Sequence, residues 1–356
     1  MRIIRAMNNP IQSLNINQIP QVVADLGQPK FRAKQLVDWL YKKNVSSYGE
    51  MSNLPKAMRE QLKECHPFFK PTIVDRQVSK DGTRKYVLEY FDGARVEAVG
   101  IPSTEKKQRR DEAKHLTVCF STQAGCAMGC AFCATGHEGL TRNLSSAEMI
   151  CQINAVQKDF GYRVTNLVSM GQGEPFQNYE ATLDALRFAN SKDGLEIGAR
   201  HITVSTCGIL SGIQKLGNEP EQFTLAVSLH SAIQETRNVL MPRCANIPLT
   251  KLKECLAAYN AASGRRVSLE YLLIDGVTDT PQSLEALKGF CDGLLCHVNL
   301  LNVNEVAGSP YHPTSPKAQQ DWVRELKRAG KEATIRNSRG ADIDGACGQL
   351  KNKLQS

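Results

Sequence analysis

Between residues 17 and 65 apolar side chains recur at helical spacing. Phe31-Arg-Ala-Lys-Gln-Leu-Val-Asp-Trp-Leu-Tyr places Phe31, Leu36, Trp39 and Leu40 on one stripe and leaves Lys and Arg on the surface. That spacing predicts a helical region. From 73 to 101 the period shortens: Tyr86-Val-Leu-Glu-Tyr and Arg95-Val-Glu-Ala-Val flank Phe91-Asp92-Gly93-Ala94 and predict a hairpin turned at Asp92-Gly93. Residues 103–114 form a charged loop. From 115 onward short apolar runs alternate with segments long enough for helices. The predicted strands are 116–120, 166–170, 201–205, 223–228, 267–273 and 297–301, with a late one at 333–336. Ser145-Ser-Ala-Glu148 is a capping-box pattern that announces the first helix. Alternation of this kind means a parallel α/β sheet, open or barrel-like, with ligands gathered at the carboxyl ends of its strands. No internal repeat interrupts it.

Composition narrows the class. The chain has 356 residues, 41% of them hydrophobic, enough for one large core with a smaller domain attached. No apolar run approaches the ~20 residues that cross a bilayer. The basic start Met1-Arg-Ile-Ile-Arg-Ala runs into Asn8-Asn9-Pro10 without an apolar stretch, so no secretory signal is expected and the expected location is cytoplasmic. A net charge of +8 is compatible with a polyanionic partner without selecting one. The twelve cysteines lack the regular spacing of a disulfide framework, so closely spaced ones read as metal or redox ligands. The isolated ones (Cys65, Cys151, Cys207, Cys244, Cys255, Cys291 and Cys296) read as small buried hydrophobes.

One group stands out. Directly after the first strand of the alternating region comes Ser121-Thr-Gln-Ala-Gly-Cys126-Ala-Met-Gly-Cys130-Ala-Phe-Cys133. Three thiolates at this spacing suit an iron–sulfur cube with one iron left free of protein ligands. Zinc is the alternative, but a closed zinc site wants four ligands, and the nearest fourth, His137, stands on a following loop. Small residues around the cysteines suit a loop wrapped on a bulky cluster.

The spacing, with an aromatic residue before the third cysteine, resembles the radical S-adenosylmethionine (SAM) superfamily. The resemblance implies a 4Fe-4S cluster on Cys126, Cys130 and Cys133, whose open iron chelates SAM and cleaves it reductively. Met170-Gly-Gln-Gly-Glu-Pro175 is similar to the superfamily's segment for the SAM amino group, with Gly173 and Glu174 as its contacts. Ser205, Ser228-Leu229-His230 and Asn304, each at or just after a strand end, complete a ring of polar groups for a nucleoside. The implied fold is a partial (β/α)6 barrel over 112–340, with a helical accessory, RNA-binding domain over 1–70. A β-hairpin linker over 71–111 and a C-terminal segment over 341–356 complete the expected division.

The closing run Ile335-Arg-Asn-Ser-Arg-Gly-Ala-Asp-Ile-Asp-Gly-Ala-Cys347-Gly-Gln-Leu, with the motifs above, resembles the RlmN/Cfr family of RNA adenine methyltransferases. Gly27-Gln-Pro-Lys-Phe-Arg-Ala-Lys-Gln-Leu, Met51-Ser-Asn-Leu-Pro, Asp81-Gly-Thr-Arg-Lys-Tyr, Arg95-Val-Glu97 and Arg142-Asn-Leu extend the likeness over most of the chain. It implies that Cys347 carries the methyl group, that Cys119 resolves a covalent protein–RNA intermediate through a transient disulfide, and that Glu97 is the general base. Read alone, Cys119 is an ordinary strand cysteine and Glu97 an ordinary hairpin carboxylate. Such chemistry suits thiols: an electron-poor amidine carbon cannot attack the SAM methyl, whereas a thiolate can. The implied reaction is methylation of adenine C2 in 23S rRNA, with tRNA as a second candidate, consuming two SAM per turnover. The implied partners are a flavodoxin- or ferredoxin-type electron donor and a thiol reductant, acting on a monomer with no membrane attachment. Adenine C8 is the alternative target, and Pro175 favours C2; a non-catalytic iron–sulfur RNA-binding protein is the alternative from another class. Two departures from the family pattern stand out: Gln172 replaces a common Met, and Asn302-Val-Asn304 lacks the usual prolines.

Overall fold

The computed structural model describes residues 9–103, 115–304 and 309–351. Lys106, Lys107, Arg109 and Arg110 of the charged loop lie outside the described residues. Three helices open the chain: α1 (Ile19–Asp25), α2 (Phe31–Val37) and α3 (Lys56–Cys65). Pro20 stands in the first turn of α1, where a missing N–H leaves nothing unsatisfied. Leu36, Leu40, Met58 and Leu62 are buried, whereas Phe31 is 58% exposed. The expected stripe thus loses its first member. A helical side chain covers the turn before it, and Phe31 has none; the Arg32 guanidinium lies over its ring instead, at 4.8 Å. Hydrogen bonds tie this region to the next: Ile16 N–H donates to Ser146 Oγ at 2.7 Å, and Asn154 Nδ2 donates to Tyr41 O at 2.7 Å.

The shorter-period region folds into β1 (Thr72–Val78), β2 (Arg84–Glu89) and β3 (Arg95–Pro102). β2 and β3 form the expected hairpin, and Gly93 supplies the positive φ of +79° that its turn demands. β1 adds a strand to it. The hairpin does not hang free: β3 pairs antiparallel with β4 (Leu116–Cys119), setting Val99 opposite Cys119. After β4, a separate two-stranded ribbon, β5 (Gln123–Gly125) and β6 (Leu140–Asn143), flanks the cysteine loop and the short helix α4 (Ala134–Glu138).

The alternating region is as expected. β7 (Asn166–Ser169), β8 (Ile202–Thr206), β9 (Thr224–Ser228), β10 (Val267–Leu273), β11 (Cys296–Asn302) and β12 (Ala333–Arg336) follow β4 in parallel order. With the antiparallel strands they make one ten-stranded sheet. Helices α5 (Ser146–Phe160), α6 (Tyr179–Asn190), α7 (Leu210–Gly217), α8 (Gln234–Leu240), α9 (Leu249–Ser263), α10 (Pro281–Cys291) and α11 (Pro316–Arg328) lie between the strands. The result is a partial (β/α)6 barrel, extended by β12. The capping box forms: Glu148 N–H donates to Ser145 Oγ at 3.1 Å, and Ser145 N–H returns to Glu148 Oε2 at 2.9 Å. Leu167, Leu225, Leu269 and Leu300, on four parallel strands, are wholly buried. Burial of each contributes roughly 1.5–3 kcal/mol. Such a core fixes the strand ends, and with them the loops that carry the chemistry.

Candidate active site

The loop after β4 and β5 brings Cys126, Cys130 and Cys133 to the wall of a cavity of about 170 Å³ at the carboxyl end of the barrel. Its backbone is anchored from both sides. Cys126 N–H donates to Gly139 O at 2.8 Å across the ribbon, and Ala131 N–H donates to Leu240 O, at the end of α8, at 2.9 Å. The next loop, after β7, adds Gly173 and Glu174 to the same cavity. Gly173 has φ +101°, and a Cβ there would stand 2.6 Å from Cβ of Gln123, so no larger residue fits. Glu174 is buried; its carboxylate accepts N–H bonds from Phe176 at 3.0 Å and Cys207 at 2.7 Å. Burial raises its carboxyl, and these bonds oppose the rise.

Ser205, Ser228 and His230 line the cavity as expected. Leu229 does not: it is fully buried, and its N–H donates to Glu270 O at 3.0 Å. The His230 ring stands edge-on to Phe132 of the cysteine loop at 4.7 Å.

A second cavity, about 60 Å³, adjoins the first and holds Cys119 and Asn304. Cys347 lines both cavities, as do Met170 and Arg336. The segment around Cys347 is held by bonds to distant elements: Ala134 N–H to Gly348 O (2.7 Å), Thr135 Oγ1 to Leu350 O (2.6 Å) and Asn304 Nδ2 to Cys347 O (3.0 Å). Burial, with the Cys347 sulfur nearby, pushes the Cys119 thiol up to about 12, while the Arg336 guanidinium pulls it down. Glu97 lines neither cavity. It is 0% exposed, with Lys85 Nζ 3.3 Å from Oε1 and the Lys351 N–H bonded to Oε2 at 2.7 Å. Every other expected polar group gathers at the barrel mouth; Glu97 stands beneath the C-terminal segment that closes over it.

Comparison with known proteins fits this geometry. Residues 10–67 match the ribosomal RNA large subunit methyltransferase N-terminal domain, and residues 120–287 match the radical SAM superfamily. The chain is 39% identical over 343 residues to a probable dual-specificity RNA methyltransferase RlmN of Clostridium novyi, covering 96% of this chain and 97% of that one. It is 43% identical over 346 residues to the protein of the same name in Staphylococcus aureus, covering 96% and 93%. The chain belongs to the RlmN family of radical SAM RNA methyltransferases. A crystal structure of a radical SAM methyltransferase from Sphaerobacter thermophilus superposes with a TM-score of 0.87 at 39% identity, covering 97% of this chain and all of that one.

The cofactors of this radical SAM family, a 4Fe-4S cluster and SAM, fit the residues present. Burial raises the Cys130 and Cys133 thiols and pushes Cys126 up to about 11, so they become thiolates only against a cation such as iron. His137, the nearest candidate for a fourth zinc ligand in the sequence, is not among the residues lining the cavity, which leaves the three thiols without it. Buried polar atoms without partners surround the cavity: His230 Nδ1, Glu270 Oε2 and, one layer back, Nε and Nη1 of Arg237.

Three residues of the cavity walls are not among those singled out from the sequence. Glu270 is a lone carboxylate in the apolar strand Val-Ser-Leu-Glu-Tyr-Leu-Leu, and that interruption was the available signal. Arg336 closes β12 within 3.9 Å of it. Met170 was quoted only as part of its motif. No helix among the described residues is long and apolar enough to cross a membrane.

Proposed function

We propose that this enzyme methylates C2 of an adenine in 23S rRNA and in tRNA, using Cys347 as methyl carrier. The observation that supports this reading is the position of Cys347 in the wall shared by two cavities, with the three cluster thiols and Glu174 on one side and Cys119 on the other. When bound, the cluster supplies the electron that cleaves SAM reductively to a carbon-centred radical. Cys126, Cys130 and Cys133 hold it. Glu174, Gly173, Ser205, Ser228 and His230, which line the first cavity, would hold SAM, with the buried Glu174 carboxylate for its ammonium, while Leu229 packs behind them and Asn304 holds the Cys347 carbonyl instead. Cys347 Sγ would accept a methyl group from SAM by displacement, and a second SAM, held by the same residues, would supply the radical chemistry that lets this methyl carbon bond to the ring.

Glu97 then takes the ring proton, once the Lys351 N–H leaves its carboxylate. Once the adduct has given back the odd electron lent for SAM cleavage, Cys119 Sγ attacks Cys347 Sγ; the S–C bond breaks toward carbon, a proton completes the methyl group, and the disulfide left behind is reopened by a thiol reductant. The helical region presents Phe31 outward, with the half-buried Arg32 guanidinium over its ring and bonded to Gln35 and Asn53, a surface suited to an unstacked base. A flavodoxin- or ferredoxin-type protein delivers the electron to a monomeric enzyme. The C2 assignment leans on Pro175 and on the dual-specificity relatives.

The test is nucleoside mass spectrometry of rRNA and tRNA after reaction with the reconstituted enzyme. 2-Methyladenosine in both RNAs is expected; 8-methyladenosine overturns the C2 assignment, and cluster without SAM cleavage overturns catalysis. Cys119→Ala is expected to accumulate a denaturant-stable protein–RNA adduct on gels. Normal turnover by that variant removes the resolving role.

A further inference from the structure

Arg237, on α8, is the largest side chain buried without any exposed surface. Its Nη2 donates to Cys207 O at 2.6 Å, while Nε and Nη1 have no hydrogen-bond partner. A buried guanidinium is costly unless an anion compensates it, and no carboxylate is bonded to this one among the described residues. Glu174, the nearby acid, is occupied by the N–H groups of Phe176 and Cys207.

The surroundings show what the charge faces. Cys207, whose carbonyl it holds, lines the cluster cavity, as does Met241, four residues further along the chain. Cys244 Sγ donates to the same Cys207 carbonyl at 3.6 Å. Its thiol is held down by the hydrogen bond with Cys207 and by the guanidinium, and it acts in turn on Cys130. The last residue of α8, Leu240, binds the cysteine loop through its carbonyl. The guanidinium therefore sits one layer behind the part of the wall where α8 meets the cysteine loop.

We infer that Arg237 is a positioning residue whose buried positive charge is the counter-ion of the iron–sulfur cluster and raises its reduction potential. The inference rests on the radical SAM reading of the site. A cube with three thiolates is a monoanion when oxidised and a dianion when reduced. A fixed cation in a medium of low dielectric favours the reduced form more strongly. Electron delivery for SAM cleavage becomes easier in consequence. Arg237 also steadies Cys207, whose N–H orients Glu174.

The experiment is an anaerobic redox titration of the reconstituted holoenzyme followed by electron paramagnetic resonance, with iron content and thermal melts of holo and iron-free protein. Arg237→Met and Arg237→Gln are expected to shift the midpoint potential to more negative values, and Arg237→Lys to restore it. Loading the cluster is expected to raise the melting temperature less in the neutral variants than in the wild type. In iron-free protein the neutral variants are expected to melt no lower than the wild type, because a bare buried charge has been removed. A wild-type potential in either neutral variant at full iron content overturns the inference. So does a lower melting temperature of both iron-free neutral variants, which would make Arg237 a structural support. Failure of the wild type itself to bind iron would instead sink the radical SAM reading of the site.

Discussion

The two cavities that share Cys347 are built in opposite ways. The cluster side is lined by loops that each follow a neighbouring parallel strand: the cysteine loop, Gly173–Glu174, Ser205 and Ser228–His230. The sheet, with the ribbon and α8 bracing the cysteine loop, sets their relative positions. The C-terminal segment that closes the second side is held from distant parts. Glu97 on β3, beneath that segment, is bonded to a backbone N–H 254 residues away, and Thr135 in the wall of the first cavity to a carbonyl 215 residues away. That closing wall is a loop held by a few hydrogen bonds rather than by strands. One half of the site is thus fixed by strand order, and the other by hydrogen bonds between residues far apart in the sequence.

Separating the halves gives the largest expected effect. Cys130→Ala should remove iron and all RNA methylation together, whereas Cys347→Ala should keep a full complement of iron and still transfer no methyl. Iron analysis beside methyl incorporation into RNA checks both, and methyl transfer by Cys347→Ala would break the division. A smaller effect belongs to the second half. Lys85 and Glu97 face each other at 3.3 Å, both buried. Lys85→Met takes the cation from a buried carboxylate and should cost about 3 kcal/mol, read as a lower urea midpoint.

The smallest effect tests the cluster half and depends on pH. Burial first, and the Arg237 guanidinium second, lower the imidazole of His230 to about 3. The unfolded chain binds a proton near its ordinary value while the folded protein refuses it. Stability should therefore fall as pH drops below ~6.5, and continue falling towards 3, with about 2 kcal/mol lost at pH 5. Urea melts of iron-free protein at pH 7.5 and pH 5 check this. His230→Gln should lose less stability over that interval, and equal losses would remove the assignment.

The same contrast decides what the sequence alone could reveal. The cluster cysteines, Glu174, Ser205 and Ser228 are legible because each stands in a short motif at the end of an apolar run, and parallel strands bring such ends together. The barrel strands were placed to within about a residue. Cys347 and Cys119 were legible only through family resemblance, since nothing local pairs residues so far apart. Glu97 was found in the same way, but its burial against Lys85 and Lys351 could not be, because that depends on where the chain end lies. The ribbon of β5 and β6 is not legible in the sequence, because its strands are only three and four residues long, β5 wholly buried and β6 largely exposed, so neither shows an alternating pattern. Arg237 was hidden for another reason: on a helix rich in polar residues, a buried arginine reads as a solvated one.

The reach of the C-terminal segment also sets an order in time. Ser79 holds the Asp342 carboxylate across 263 residues of sequence, and Asp81 holds Arg339 across 258. Chains emerge from the ribosome N-terminus first, and contacts between distant residues form late. The hairpin and the cysteine loop are therefore exposed to the cell well before the segment that completes them is made. The three cysteines of the loop are thus synthesised before Cys347, and on the proposed mechanism the carrier thiol joins the site only when the C-terminal segment closes on it.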